Sequence, residues 1–242
     1  MILSILQARM SSSRLPGKVL KPILGQPMIL HQVARIRSAK RIGRLVVATS
    51  TDPSDDGLFQ VCLDHGVECR RGSLEDVLDR FFRVALHYAP AHVVRLTADC
   101  PLADPEVLDA TIEFHLENGF DYTSNALDNP TFPHGLDAEV VRMESLERAW
   151  REAKLPYERE HVTPYFYTHR DLFSVGSYRG ERDLSDYRWT VDEPEDLEVV
   201  RRVYEALYPK NPAFRMADVL ALYKREPSLA LINEQFRRRA PK

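Results

Sequence analysis

Met1-Ile2-Leu3-Ser4-Ile5-Leu6 runs directly into Gln7-Ala8-Arg9-Met10-Ser11-Ser12-Ser13-Arg14-Leu15-Pro16-Gly17-Lys18. The apolar run reads as a buried strand, and the stretch after it as a basic, hydroxyl-rich loop. Two arginines and a lysine among small residues bring charge together with backbone N–H groups that can turn inward around an anion. A solvated loop with scattered charges is the plain alternative. Position favours the anion, because the loop leaves the first strand directly and a helical pattern comes soon after it, and open α/β sheets bind ligands at the carboxyl ends of their strands.

Beyond this opening, strand-like runs recur at Leu3 to Leu6, Leu45 to Thr49 and Val93 to Thr97, with a weaker one at Gly66 to Cys69. Helical patterns at Pro27 to Ser38, Ser54 to His65 and Glu75 to Tyr88 separate them. Strands without polar alternation belong to a parallel sheet covered on both faces, so the fold class is α/β. Asp104-Pro105 marks a further helix start, and Asn118-Gly119 its stop. Thr123 to Gly135 is rich in Asn, Pro, Gly and Thr and reads as a long loop or strand insertion over the mouth of the sheet. Helices are expected at Met143 to Lys154, Glu158 to His169, Pro194 to Leu207 and Met216 to Leu222, with strands at Phe173 to Tyr178 and Tyr187 to Val191. The tail Arg237-Arg238-Arg239 reads as solvated.

The 242 residues, 44% of them hydrophobic, suffice for a single domain over 1–242, elaborated by an insertion at about 123–169. Net charge is −3, with 33 basic and 36 acidic residues interspersed, so no global field points to nucleic acid or a membrane surface. No run approaches the roughly 18 apolar residues of a membrane-spanning helix, and the expected location is cytoplasmic. Cys62, Cys69 and Cys100 lack CxxC spacing and read as buried free thiols.

The opening loop is not a Walker A motif, since Val19 comes after Gly17-Lys18 and the upstream glycine is missing; no GxGxxG succeeds the first strand either. The pattern left standing is Arg9, Arg14 and Lys18 around a polyphosphate. Thr97-Ala98-Asp99-Cys100-Pro101 and Trp189-Thr190-Val191-Asp192-Glu193-Pro194 each place an aspartate after a strand. Either Asp99 or Asp192 alone could simply cap a turn or helix. Together they suit Mg²⁺, which takes one or two protein carboxylates plus phosphate and water. Asp137 and Glu139 alternate and could share a face, while Arg159 and His161 lie near a helix start.

Gln7-Ala8-Arg9-Met10 through Lys18, with Gly25-Gln26-Pro27-Met28, resembles the opening of the cytidylyltransferases that activate acidic sugars, and more closely that of the SpsF family of spore coat polysaccharide biosynthesis. The resemblance continues through Ala48-Thr49-Ser50, Arg71-Gly72-Ser73, Asp76 to Arg80, Thr97 to Pro101, Gly135 to Glu139, Glu158 to Thr163 and Arg188 to Asp192. It implies a three-layer nucleotide-diphospho-sugar transferase fold, Rossmann-like and of GT-A type, with a mostly parallel central sheet. It also implies Mg²⁺-dependent transfer of CMP from CTP to a sugar, expected to be acidic, with release of pyrophosphate; Mn²⁺ is the alternative ion.

By that similarity Arg9, Ser12, Arg14 and Lys18 bind the triphosphate and Gln7 contacts the nucleotide, with Arg14 and Lys18 acting in catalysis, and Asp99 and Asp192 hold the metal. Arg71, Ser73, Asp79 and Arg80 fall where nucleotide contacts are expected. Asp137, Glu139, Arg159 and His161 face the acceptor; Arg159 is suited to a carboxylate, and His161 or a carboxylate to deprotonating the attacking hydroxyl. A buried Arg–Glu pair tying the insertion to the sheet is the competing reading for such residues. A homodimer through the insertion is compatible with the pattern. A sugar-1-phosphate nucleotidyltransferase, a glycosyltransferase on the same fold, and a catalytically silent nucleotide-sugar binding partner are the other functional readings.

Overall fold

The apolar opening run becomes the central strand β1 (Ile2–Gln7) in the computed structural model, which describes residues 1–236. A short antiparallel ribbon, β2 (Pro22–Ile23) and β3 (Gln26–Pro27), precedes α1 (Met28–Arg37). Strand and helix then alternate: β4 (Arg44–Ser50), α2 (Asp56–Asp64), β5 (Cys69–Gly72), α3 (Val77–Tyr88), β6 (His92–Thr97) and α4 (Pro105–Asn118). Asp104 caps α4 as its sequence predicts, accepting from Glu106 N and Val107 N. Next come β7 (Tyr122–Ser124), β8 (Glu139–Arg142), α5 (Met143–Glu152), α6 (Pro156–His161), α7 (Pro164–Thr168) and β9 (Val175–Ser177). α8 (Pro194–Leu207) and α9 (Met216–Arg225) pack together near the end.

The seven-stranded sheet has the order β5-β4-β1-β6-β8-β7-β9. β1 pairs in parallel with both β4 and β6, so Ser4 lies beside Leu45 on one side and Val94 on the other. Among the described strands of this sheet, β8 alone runs against the rest, antiparallel to β6 and to β7. Its first residue therefore lies at the same edge as the carboxyl ends of the parallel strands. Alternating side chains divide the core: Leu6, Val47 and Leu96 face α1, α2 and α4, whereas Leu3, Ile5 and Val46 face Phe81, Leu146 and Phe166 of α3, α5 and α7. Each fully buried side chain contributes roughly 1.5–3 kcal/mol. A third cluster, with Trp189, Val200, Phe214 and Leu222, joins α8 and α9 to Leu15 and Met28 beside the opening loop.

Four expectations shift. The strand expected at Gly66 to Cys69 lies at Cys69–Gly72, an edge strand whose outward arginines disguise it. The helix expected over Glu158 to His169 is broken into α6 and α7 by Val162, at φ +70°, two residues before Pro164. Tyr187 to Val191 is extended but joins no ladder, making a single bridge from Arg188 to His134. Cys69 is half-buried rather than buried, unlike Cys62 and Cys100. Residues 123–169 are woven into the central sheet at β7 and β8. The basic tail Arg237 to Arg239 lies outside the described residues.

Candidate active site

A buried carboxylate holds the root of the opening loop. Asp55 accepts from Met10 N at 2.7 Å, from Ser50 N at 3.0 Å and from the Ser50 hydroxyl, fastening the loop to the end of β4. Ser12 N and Gly17 N both donate to Met10 O, which closes the loop on itself. Gly17, at φ +67°, then turns the chain into a short 3-10 helix, Lys18–Leu20. The consequence is a lysine directed at the turn after β6 and at the extended segment that leads to Asp192. Lys18 Nζ donates to Val191 O at 2.8 Å and to Asp192 Oδ1 at 2.9 Å, and stands 3.5 Å from Asp99 Oδ2.

Neither aspartate caps a helix. Glu193 is the N-cap of α8, and Asp196 accepts from the N–H groups of Asp192 and Glu193, leaving the Asp192 carboxylate to the loop. Asp192 Oδ2 meets Arg14 at 2.9 Å and Arg188 at 3.4 Å. Burial pushes the Asp192 carboxyl upward, but Lys18, Arg14 and Arg188 outweigh it and hold it below the usual carboxylate range. Behind it Arg188 forms two bonds to the fully buried Asp196, at 2.8 and 2.7 Å, and Asn233 adds a third. Asp99 is fixed from its backbone, whose carbonyl accepts from Val191 N at 2.7 Å.

These groups border a cavity of about 690 Å³. Gln7, Arg9, Ser12, Arg14, Lys18, Asp99 and Asp192 all line it, as does His161. Asp137 and Glu139 line a neighbouring compartment of about 180 Å³ that shares Arg95 and Thr97 with the larger cavity. Arg159 borders a third hollow next to Arg9, and its guanidinium is spent on Asp76, with contacts of 2.5–3.0 Å, and on Trp150 O. The expected carboxylate-binding role of Arg159 is thus opposed by a carboxylate of the protein itself.

The group expected from Arg71 to Arg80 stands apart from the cavity. Arg71 reaches Ser50 O, Asp52 O and Asp56, the Ser73 hydroxyl accepts from Asp76 N, and Asp79 binds Arg83 and the Trp150 indole. Arg80 is buried beneath Gly72, donates to Ser73 O, and leaves Nη2 without a hydrogen-bond partner; burial lowers its pKa to about 10. Arg71 ties β5 to the segment after β4, Ser73 and Arg80 brace the turn from β5 into α3, and Asp79 ties α3 to α5; none of the four lines the cavity.

Arg95, His134, Asp55 and Arg188 escaped the sequence reading as site residues. Arg95 and His134 line the large cavity, and Arg95 pairs with Glu139 directly across β6 and β8. His134 sits before Gly135, at φ +110°, where a Cβ would come within 2.4 Å of Thr190 N. That glycine lets the loop approach Trp189 and Thr190, and its place in Pro133-His134-Gly135 was the available signal.

Among the described residues no cluster of three or more His, Cys, Asp or Glu could hold a metal by itself. Mg²⁺ needs less, since phosphate oxygens and water complete its octahedron. Asp99 and Asp192 already converge on one cation, the Lys18 ammonium, and their oxygen donors suit a hard divalent ion. The pair fits that role, and an ion held there would offset phosphate charge.

The cytidylyltransferase family model matches residues 3–225. The chain is 37% identical over 242 residues to the spore coat polysaccharide biosynthesis protein SpsF of Bacillus subtilis, covering 96% of this chain and 98% of that protein. It superimposes on a cytidylyltransferase of Leptospira borgpetersenii with a TM-score of 0.89 and 31% identity, covering 100% of this chain and 98% of the other. CMP:2-keto-3-deoxy-manno-octonic acid synthetase complexed with CTP shares the fold, with a TM-score of 0.66 at 18% identity, covering 85% and 98% of the two chains. With a basic opening loop set against Asp99 and Asp192 and this likeness along its length, the chain belongs to the cytidylyltransferase family, a family of nucleotidyltransferases.

Proposed function

We propose that this protein transfers CMP from CTP to a sugar hydroxyl and releases pyrophosphate, in the synthesis of a surface glycan precursor. The carrying observation is Lys18, whose ammonium touches Asp192 and approaches Asp99 on the floor of a cavity that Arg9 and Arg14 also line. In this reading Arg9, Arg14, Lys18 and the Ser12 hydroxyl receive the triphosphate. Asp99 and Asp192 hold Mg²⁺, which offsets charge on the phosphates when bound.

The acceptor oxygen bonds to the α-phosphorus as the bond to the bridging oxygen breaks, and pyrophosphate departs with that electron pair. The hydroxyl proton passes to a cavity base, for which the His134 and His161 imidazoles are placed along the wall. Positioning and charge stabilisation supply most of the rate. Pyrophosphate release in the presence of Mg²⁺ and a panel of sugars, with CTP set against ATP, GTP and UTP, tests the reading. A preference for CTP, with release that falls sharply in Lys18→Ala, supports it; acceptor-dependent release unaffected by that substitution rejects it.

A further inference from the structure

We infer that Asn233 is a positioning residue for Asp192, so that the segment after α9 sets how well the site takes up a divalent cation with its nucleotide. The inference rests on the CMP-transfer reading and adds to that site a residue remote from it in sequence. Asp192 comes directly after the extended segment Tyr187 to Val191, which joins no ladder among the described strands. A strand within a sheet is fixed by hydrogen bonds along its edges. This segment is tied at single points instead: His134 N donates to Tyr187 O, Trp189 N and Thr190 N donate to His134 O, and Val191 N donates to Asp99 O. The Arg188 carbonyl, between the groups that bond His134, accepts from Asn233 Nδ2 at 3.1 Å.

The same amide nitrogen donates to Asp196 Oδ1 at 2.8 Å, so both of its N–H groups are spent. Asn233 thereby staples the backbone of the Asp192 segment to the first turn of α8. The carboxylate it grips holds Asp192 from two directions. Asp196 Oδ2 accepts from Asp192 N at 3.0 Å, and Arg188, bonded to both Asp196 oxygens, reaches Asp192 Oδ2 at 3.4 Å. Asn233 is 2% exposed and Asp196 is fully buried, so these bonds form out of solvent, where losing one is costly. Packing seats the segment: Leu229, in the 3-10 helix Pro227–Leu231, is buried in the cluster that holds Trp189, Val200 and Leu222. Partners that orient a metal-binding carboxylate from behind tune its affinity for the ion without touching it.

The test is calorimetric titration of the full-length protein with CTP, with and without Mg²⁺ and in the absence of acceptor. Mg²⁺ is expected to tighten CTP binding by at least about tenfold in the unmodified protein. Asn233→Ala should reduce that factor to about threefold or less, while CTP affinity without the ion changes by less than about twofold. Asn233→Leu, close to asparagine in volume but without donors, gives the same comparison if the alanine variant fails to fold. Gln235→Ala, in the same segment but exposed and bonded to Glu195, should retain the full factor. A folded Asn233 variant that keeps the full factor overturns the inference. Equal weakening of CTP binding with and without Mg²⁺, the mark of a merely structural role, overturns it too, as does an equal loss of the factor in Gln235→Ala. Mg²⁺-insensitive CTP binding by the unmodified protein also overturns it. No CTP binding at all by that protein rejects the transfer reading together with the inference, whereas each of the other adverse results leaves nucleotide binding standing.

Discussion

Lys18 Nζ lies 2.9 Å from Asp192 Oδ1, while Arg14 Nη2 lies 2.9 Å from the other oxygen of the same carboxylate. Two of the cations suited to a triphosphate therefore share an aspartate suited to a metal. A metal–nucleotide complex presents an exchange partner for each: phosphate for the cations, metal for the carboxylate.

Lys18→Ala is expected to reduce pyrophosphate release by about 10²- to 10³-fold at saturating substrates, the scale of losing one preorganised charge donor. The variant leaves Asp99 and Asp192 facing each other without their shared ammonium. Mg²⁺ alone should then raise its Tm more than it raises that of the unmodified protein. Equal Tm increments in the two proteins would show that the aspartate pair does not take up the ion.

Asp55→Ala removes the acceptor for Met10 N, Ser50 N and the Ser50 hydroxyl, all at a buried site. Unmade buried hydrogen bonds of this kind cost about 2–4 kcal/mol in total, measurable by urea denaturation. Because the loop root is released as well, KM for CTP should rise several-fold beyond any change in folded fraction. A destabilised variant with normal KM would limit Asp55 to a structural part.

Asp196→Ala leaves Arg188 buried with its principal partner gone and frees the amides of Asp192 and Glu193. A loss of about 3–5 kcal/mol is expected by chemical denaturation. Burial raises the Asp196 carboxyl, but bonds from Arg188, Asn233 and the two amides more than reverse this and lower it overall. Since Asp192 and Asp196 are both held below their ordinary range, their stabilisation is complete above the unfolded value near pH 4 and lost as pH falls through the depressed values. Acid titration of the Ala variant should show a shallower decline below about pH 4.

His115 is fully buried between His92 and Thr123, with ring contacts of 3.0 Å to each, and desolvation, then His92, lowers its pKa to about 4. The unfolded chain binds its proton first, near pH 6.5, so stability is full above that value and declines as pH falls toward 4. The decline amounts to at most about 3 kcal/mol. His115→Gln should flatten ΔG between pH 6.5 and 4, whatever its effect at neutral pH. An equally steep slope in the variant would assign the decline to other groups.

The strands and helices around the opening loop were legible because their side chains obey the period of buried parallel strands and amphipathic helices. α8 begins at Pro194 and ends at Leu207 as expected, since an acidic N-terminus and proline mark its start unambiguously. The large cavity was legible too: Arg9, Arg14, Lys18, Asp99 and Asp192 meet there. What stayed hidden depends on pairings distant in sequence. Arg159 looks available until Asp76, 83 residues away, is found against it, and Arg95 reads as an oddity in a strand until β8 brings Glu139 beside it. β5 was misplaced because an edge strand need not be apolar.

The reversed direction of β8 has a consequence for how this scaffold can change. The opening loop and Asp99 follow the ends of the parallel strands β1 and β6, whereas Glu139 stands where an antiparallel strand begins. Within the stretch from His134 to Glu139, Gly135 packs on Thr190 and Leu136 shares a core cluster with Leu15, so substitutions that keep those two residues are the ones that spare the opening loop. Under the proposed transfer reaction, a changed acceptor preference is expected from substitutions at His134, Asp137 and Glu139.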